Sequence, residues 1–445
     1  MKITDMGVKV PEILIPDENV NMTKWSVLAC DQYTSDERYW KDVEKFVGGN
    51  PSTLHIMLPE IYINDPSRSE MIGYIKETMK RYIDDSVLKL LPEGFVLVER
   101  MICGQPRKGL MVAVDLEHYH YDIEKKPAIR ATEQTILDRI PPRIEIRRGA
   151  MMEMPHVIVL MDDKDKTVIE PLYERRKFYP LLYDFDLMGG GGNIKGYFVN
   201  DKMATNDALY AMMSLPEKDG MRFAVGDGNH SLATAKEVWE REKILLTPEE
   251  QAESPLRYAL VELINIHDEG LMFMPIHRVI MGTPPPQCVQ YVVDKLNAGG
   301  VSAKLVFSRR RQNSEDIADS NGKRIYFCSK DSVGWIELGG EAERALTVEV
   351  LQPILEQYVE ENPTSAIEYV HSDEALAELT SGYDNLGFIM PALNKDEFFD
   401  MIVKCGVLPK KTFSIGEENQ KRYYLECRLL SVPEEEETEE EEVGE

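Results

Sequence analysis

Gly226-Asp227-Gly228-Asn229-His230-Ser231 is the segment whose residue types and spacing bear most directly on chemistry. Phe223, Ala224 and Val225 read as the end of a short buried strand. From Ser231 the period changes, and Leu232, Ala235, Val238 and Trp239 fall on one face of a helix. A strand that turns through Gly, Asn and His into a helix leaves backbone N–H groups without intrahelical partners and aims the positive end of the helix dipole at the turn. That is an anion site, most often for phosphate. The competing reading is a tight turn in which Asp227 or Asn229 caps the helix through its own side chain. On the first reading, Gly228→Val blocks close approach of an anion without unfolding the chain.

Other polar runs could add to such a site. Asp31 stands at the end of the apolar run Trp25 to Cys30, where a catalytic carboxylate often lies; an Asx turn or a cap by Thr34 or Ser35 is the alternative. Cys30 as a nucleophile needs a histidine partner, and packing is the simpler role. His277 and Arg278 offer an imidazole and a guanidinium suited to an anionic group, and Arg130 to Thr135, with Glu133, is a further dense polar run. If these form one pocket, Asp31, Arg130, His230, His277 and Arg278 converge in space. Asp186 to Gly196 holds four consecutive glycines and Lys195, but no Gly-Lys-Ser/Thr follows, so it is no Walker loop and reads as a mobile linker. His118 and His120 lie on one side of a strand without an obvious third metal ligand.

The elements that must position these residues are mixed. Phe95 to Arg100 and Leu110 to Asp115 read as a hairpin, His156 to Met161 as a strand, and Tyr258 to Ile266 and Met272 to Ile280 as two more. Thr247-Pro248-Glu249-Glu250 carries a capping box, and Asn394 opens a helix with Phe398, Phe399, Ile402 and Val403 that Gly406 stops. The fold class expected is α+β (mixed α/β), with short mixed sheets and packed helices. Thr283-Pro284-Pro285-Pro286 marks the domain break. The division is a region 1–200, a strand–loop–helix region and hairpin 201–282 continuous with it, a domain 283–432, and a disordered acidic tail 433–445.

Composition is that of a soluble globular chain, 43% hydrophobic and 29% charged. Nine glutamates in Glu434 to Glu445 supply part of the net charge of −27, and the body stays acidic without them. This argues against broad nucleic-acid or anionic-membrane binding. An anionic ligand then needs local basic groups, backbone amides or a metal ion. Six scattered cysteines with no zinc spacing, and no leader or membrane span, suggest a cytoplasmic chain with reduced thiols.

Ala29 to Ser35, Pro51 to His55, Arg130 to Glu133, Val225 to Ser231, Pro275 to Arg278 and Leu408 to Thr412 resemble, in matching order over nearly the whole chain, the signatures of the uncharacterised prokaryotic DUF1015 family. Members are often encoded beside serine-biosynthesis genes. The Asp227-Gly228-Asn229-His230 turn also resembles the phosphate loop of the ParB/sulfiredoxin-like superfamily, which includes nucleotide-binding segregation proteins, sulfiredoxins and free-serine kinases. Ser231 stands where that superfamily usually has Arg, so a basic group must come from elsewhere, with Lys236, Arg278 and Arg130 as candidates.

These resemblances imply a nucleotide-dependent phosphotransferase acting on a small hydroxylated metabolite, with serine the leading choice. Asp31, His230 and His277 would be catalytic. Gly226, Asp227, Gly228, Asn229, His230, Ser231, Arg130, Glu133 and Arg278 would hold ATP or ADP, with Mg²⁺ between phosphates. A phosphoester hydrolase using the same pocket and a non-catalytic nucleotide- or effector-binding protein are the alternatives.

Overall fold

The long apolar runs between residues 95 and 265 have no polar face to give to water, so each must be covered on both sides. In the computed structural model, which describes residues 6–30, 33–154, 156–320, 323–340, 346–409 and 411–431, they form the centre of one ten-stranded mixed sheet. Asp31 and the acidic tail lie outside the described residues.

The strand order is Leu181–Asp186, Asn193–Val199, Phe95–Ile102, Gln105–Asp115, Tyr258–Asn265, Ile158–Met161, Phe223–Asp227, Ile129–Arg130 and Tyr119–His120, and Val8–Lys9 pairs onto the end of Gln105–Asp115. The hairpin expected near residue 104 is present, closed by Cys103 and Gly104. Phe223–Asp227 runs antiparallel to Ile158–Met161 and parallel to Ile129–Arg130, which sets the turn after Asp227 beside the 130–136 segment. The helices Lys202–Ser214 and Asn229–Glu242 cover one face through Ala208, Met212, Leu232 and Trp239. Ile158, Leu160, Ala224 and Ile264, on the other face, join the core of a second unit.

That second unit is a six-stranded antiparallel sheet in the order Ser302–Ser308, Val333–Gly339, Arg324–Cys328, Asn385–Ile389, His277–Met281, Ala366–Val370. The mixed α+β class holds. The apolar run 272–280 is two strands rather than one. Phe273–Pro275 pairs with Phe413–Ile415, whereas His277–Met281 is inside the six-stranded sheet. The chain thus passes between sheets at Ile276, ahead of the proline run, which opens the helix Pro285–Ala298. The capping box at Thr247 and Glu250 forms as expected, and Gly406 ends the helix Phe398–Cys405.

After residue 413 the chain returns to the first unit. Trp25 Nε1 donates to the Leu425 carbonyl at 2.9 Å, the Tyr424 N–H donates to the Val27 carbonyl at 3.0 Å, and Arg428–Leu429 pairs with Met152–Glu153. Two buried arginines on the hairpin hold this segment by its backbone. Arg100 donates to the carbonyls of Asn419, Gln420, Lys421 and Gly191, and Arg107 donates to Gln420 at 3.0 Å. Arg422 lies between Glu262, at 3.2 Å, and Glu426. The four-glycine segment is therefore not a mobile linker: it is a packed connection, with the Gly191 carbonyl on Arg100, the Met188 carbonyl on Tyr423 Oη at 2.8 Å, and Lys195 paired to Asp184 at 3.1 Å. Among the described residues no helix is long and apolar enough to cross a membrane.

Candidate functional site

The strand Phe223–Asp227 stops because Gly228 turns left-handed, with φ of +79°. The 14-residue helix Asn229–Glu242 then starts from the Gly228 carbonyl, which accepts the N–H groups of Ser231 at 3.0 Å and Leu232 at 3.1 Å. Among the described residues no side chain caps this end. The side chains of the turn instead brace its surroundings. Asn229 Oδ1 accepts the Thr132 N–H at 3.2 Å, and His230 Nε2 accepts the Ile136 N–H at 3.2 Å. Ser231 Oγ is 3.3 Å from His156 Nε2. Glu133 forms a bridge with Leu408, which brings two of the polar runs side by side along the turn.

The cation at the turn is Lys421. Its Nζ is 3.3 Å from Asp227 Oδ2 and donates to Ser414 Oγ at 2.8 Å, while the Gly228 N–H reaches Asp227 Oδ1 at 2.8 Å. Burial alone would raise the Asp227 carboxyl, but Lys421, His156 and the Gly228 N–H outweigh it and hold the group below its usual value. Burial pushes the Tyr424 hydroxyl up, with Arg143 opposing and Cys30 and Asp227 adding to the shift. Cys30 and the turn thus both act on one half-buried tyrosine.

The three cations expected to replace the loop arginine are engaged elsewhere. Arg130 donates Nε to Pro127 and pairs with Asp219 at 3.5 Å. Lys236 donates to the Leu116 carbonyl at 2.9 Å and pairs with Glu240. Arg278, fully buried, donates Nε to Gln352 at 3.0 Å and also reaches the Ile276 carbonyl, with its guanidinium 5.5 Å over the Tyr369 ring. His277 is likewise fully buried in the second sheet, where Nδ1 accepts the Met390 N–H at 3.1 Å and Nε2 is 3.6 Å from Asp373. Burial pushes it down to about 4 although Asp373 pulls the other way, so it is a neutral imidazole at pH 7. Arg130, His277 and Arg278 each have these other partners, and the side chains that meet around the turn are Asp227, His230, Ser231, His156 and Lys421.

The loop glycines also act through packing. A Cβ on Gly228 would lie 3.0 Å from Val157 Cα, and one on Gly226 would lie 2.8 Å from Ile415 Cδ1 and 2.9 Å from Leu160 Cγ. Gly228→Val thus strains the backbone and crowds Val157, just ahead of the strand Ile158–Met161, so it is no clean probe of anion approach. Sequence reasoning passed over Lys421, His156 and Tyr424. The run Lys421-Arg422-Tyr423-Tyr424, basic and aromatic together, is the signal that could have found the first and last. Among the described residues no group of three His, Cys, Asp or Glu could hold a metal ion, His118 and His120 included.

A helix start with a left-handed glycine, a buried lysine and two imidazoles can bind an anion and offers a carboxylate beside it. Several solved structures are similar to this chain. A free serine kinase variant in complex with AMP matches with TM-score 0.40 and 12% identity, covering 71% of this chain and 90% of that one. A conserved hypothetical protein from Pyrococcus furiosus matches with TM-score 0.35 and 15% identity over 71% and 90%. SbnI with a C-terminal truncation from Staphylococcus aureus matches with TM-score 0.35 and 10% identity over 69% and 82%. A search of curated proteins returns no match. The model of DUF1015, a family of proteins of unknown function, matches residues 14–338, and the chain belongs to that family.

Proposed function

We propose that the chain is a nucleotide-dependent phosphotransferase acting on a small hydroxylated metabolite, with free serine the first substrate to test. The observation that carries this reading is Lys421 Nζ standing 3.3 Å from Asp227 at the start of the helix Asn229–Glu242. The phosphates of ATP or ADP rest on the first N–H groups of that helix, and Lys421 supplies the positive charge that Ser231 cannot. Asp31 accepts the proton of the substrate hydroxyl as its oxygen attacks the terminal phosphorus. The bond from that phosphorus to the bridging oxygen breaks, and its electron pair leaves with the shortened nucleotide.

A Mg²⁺ in this scheme would be carried in on the nucleotide, because such an ion is held by phosphates with one or two carboxylates and needs no all-protein cage. Asp227 would hold it, and its charge would offset that of the transferred group. His230 keeps a positioning role through Ile136.

The deciding assay incubates purified protein with Mg²⁺, ATP or ADP, and serine, and reads phosphoserine by phosphorus NMR. Product that vanishes in Asp31→Asn supports the scheme. The absence of product with either nucleotide across a panel of small alcohols refutes it.

A further inference from the structure

Ser231 and His156, which flank the turn, are also part of the wall of a cavity of about 190 Å³ lying against the first two turns of the helix Asn229–Glu242. The phosphate position and the cavity are therefore contiguous. A drug-sized ligand needs roughly 300–1,000 Å³. This space admits one ring system and leaves the charged remainder of a ligand outside, where the helix start is.

The wall is apolar and adaptable, with Met57, Met79, Met152 and Met154 beside Leu232 and Ala235. Thioether sulfurs make favourable contacts with aromatic rings in particular. One polar group in the wall is incompletely used. Arg147 pairs through Nη1 with Glu153 at 2.6 Å, but among the described residues its buried Nε and Nη2 have no hydrogen-bond partner. Glu153 also takes Arg428 Nε at 2.6 Å and the Leu260 N–H at 2.9 Å, so most of its acceptor capacity is already used. The charged side chains of the wall balance, Arg143 and Arg147 against Glu60 and Glu153, so what the wall has in excess is the pair of Arg147 donors, which favours a ligand atom that accepts.

We infer that this cavity takes the heteroaromatic base of the nucleotide whose phosphates lie on the helix start, with Arg147 donating to a ring nitrogen or carbonyl of the base. The inference rests on the phosphotransferase reading. It predicts that the base, rather than an alkyl group of the substrate, occupies the methionine-lined space.

The test compares ADP with inorganic pyrophosphate by titration calorimetry on the full chain. Wild type binds ADP at least about tenfold more tightly than pyrophosphate. Ala235→Met, which fills the space from the helix, and Met154→Trp, which fills it from a half-buried position, each weaken ADP about tenfold or more and leave pyrophosphate within about twofold. Arg147→Met does the same. In wild type, an aminopurine nucleotide becomes shielded from acrylamide quenching when bound, a readout that needs no variant to fold. Equal affinity for ADP and pyrophosphate, or a bound base that stays quenchable, overturns the cavity assignment and leaves the phosphate site standing. Wild type that binds neither compound overturns the phosphotransferase reading, and the cavity assignment with it.

Discussion

Lys421→Met removes one charge while keeping most of the side-chain stem, and its consequences can be worked out from the contacts of the turn. A hydrogen bond to a charged group contributes about 1.5–3 kcal/mol, so loss of the lysine should weaken pyrophosphate and ADP alike by roughly 10- to 150-fold. The protein itself should lose about 1–3 kcal/mol, because the Asp227 carboxylate keeps only the Gly228 N–H and His156. That loss falls short of the roughly 3–5 kcal/mol for breaking a fully enclosed pair, since Asp227 is half-buried.

The sign with pH is diagnostic. In wild type the folded carboxyl lies below its unfolded value, so its stabilisation is present above that value and is lost as pH falls through the folded one. Without Lys421 the effect of burial gains weight and protonation of Asp227 becomes less unfavourable to the fold. The stability gap between wild type and variant should therefore shrink as pH drops from 7 toward the carboxylate range. Urea denaturation at several pH values and calorimetry at pH 7 read both effects, with Lys421→Arg as the charge-retaining control. A folded Lys421→Met protein that binds pyrophosphate within about twofold of wild type refutes the assignment.

Two further outcomes are expected. Gly228→Val should destabilise the fold by about 1–3 kcal/mol through its left-handed φ of +79° and the 3.0 Å approach to Val157, and an unchanged urea midpoint would contradict this. His277, held down to about 4 by burial with Asp373 opposing and Arg278, Arg311 and His371 adding to the effect, costs stability when pH falls from its unfolded value of about 6.5 toward 4. The slope is up to about 1.4 kcal/mol per pH unit, and His277→Asn should remove that part; parallel pH profiles for the two proteins would count against the burial argument.

What the sequence made legible was local. The shift from strand to helix period between Val225 and Leu232, the capping box at Thr247 and Glu250 and the hairpin at Gly104 each depend on neighbours within a few residues, and each is found where expected. The placements that could not be read depend on tertiary partners. Arg130 and Arg278 have the residue type that reads anions, yet carbonyls and side chains brought in by folding occupy them. The run 272–280 has one apolar character throughout but is divided between sheets at Pro275 and Ile276, because the last strand position before the division is a proline that pairs with Phe413. Lys421 is held at the turn by a segment whose backbone Arg100 and Arg107 grip, and nothing near residue 421 announces those arginines.

The returning segment 413–430 makes this protein a late finisher during synthesis. Trp25 waits for a partner 400 positions downstream, and the hairpin arginines wait almost as long. At roughly 5–20 residues per second, most of a chain this long must be polymerised over tens of seconds before that partner leaves the ribosome. The surface that receives the segment carries Arg100, Arg107 and Glu262 rather than a bare apolar strip. Such charges keep a half-covered sheet from recruiting neighbouring nascent chains. The grouping at the turn is complete only once the segment 413–430 is in place, because Lys421 is carried on it.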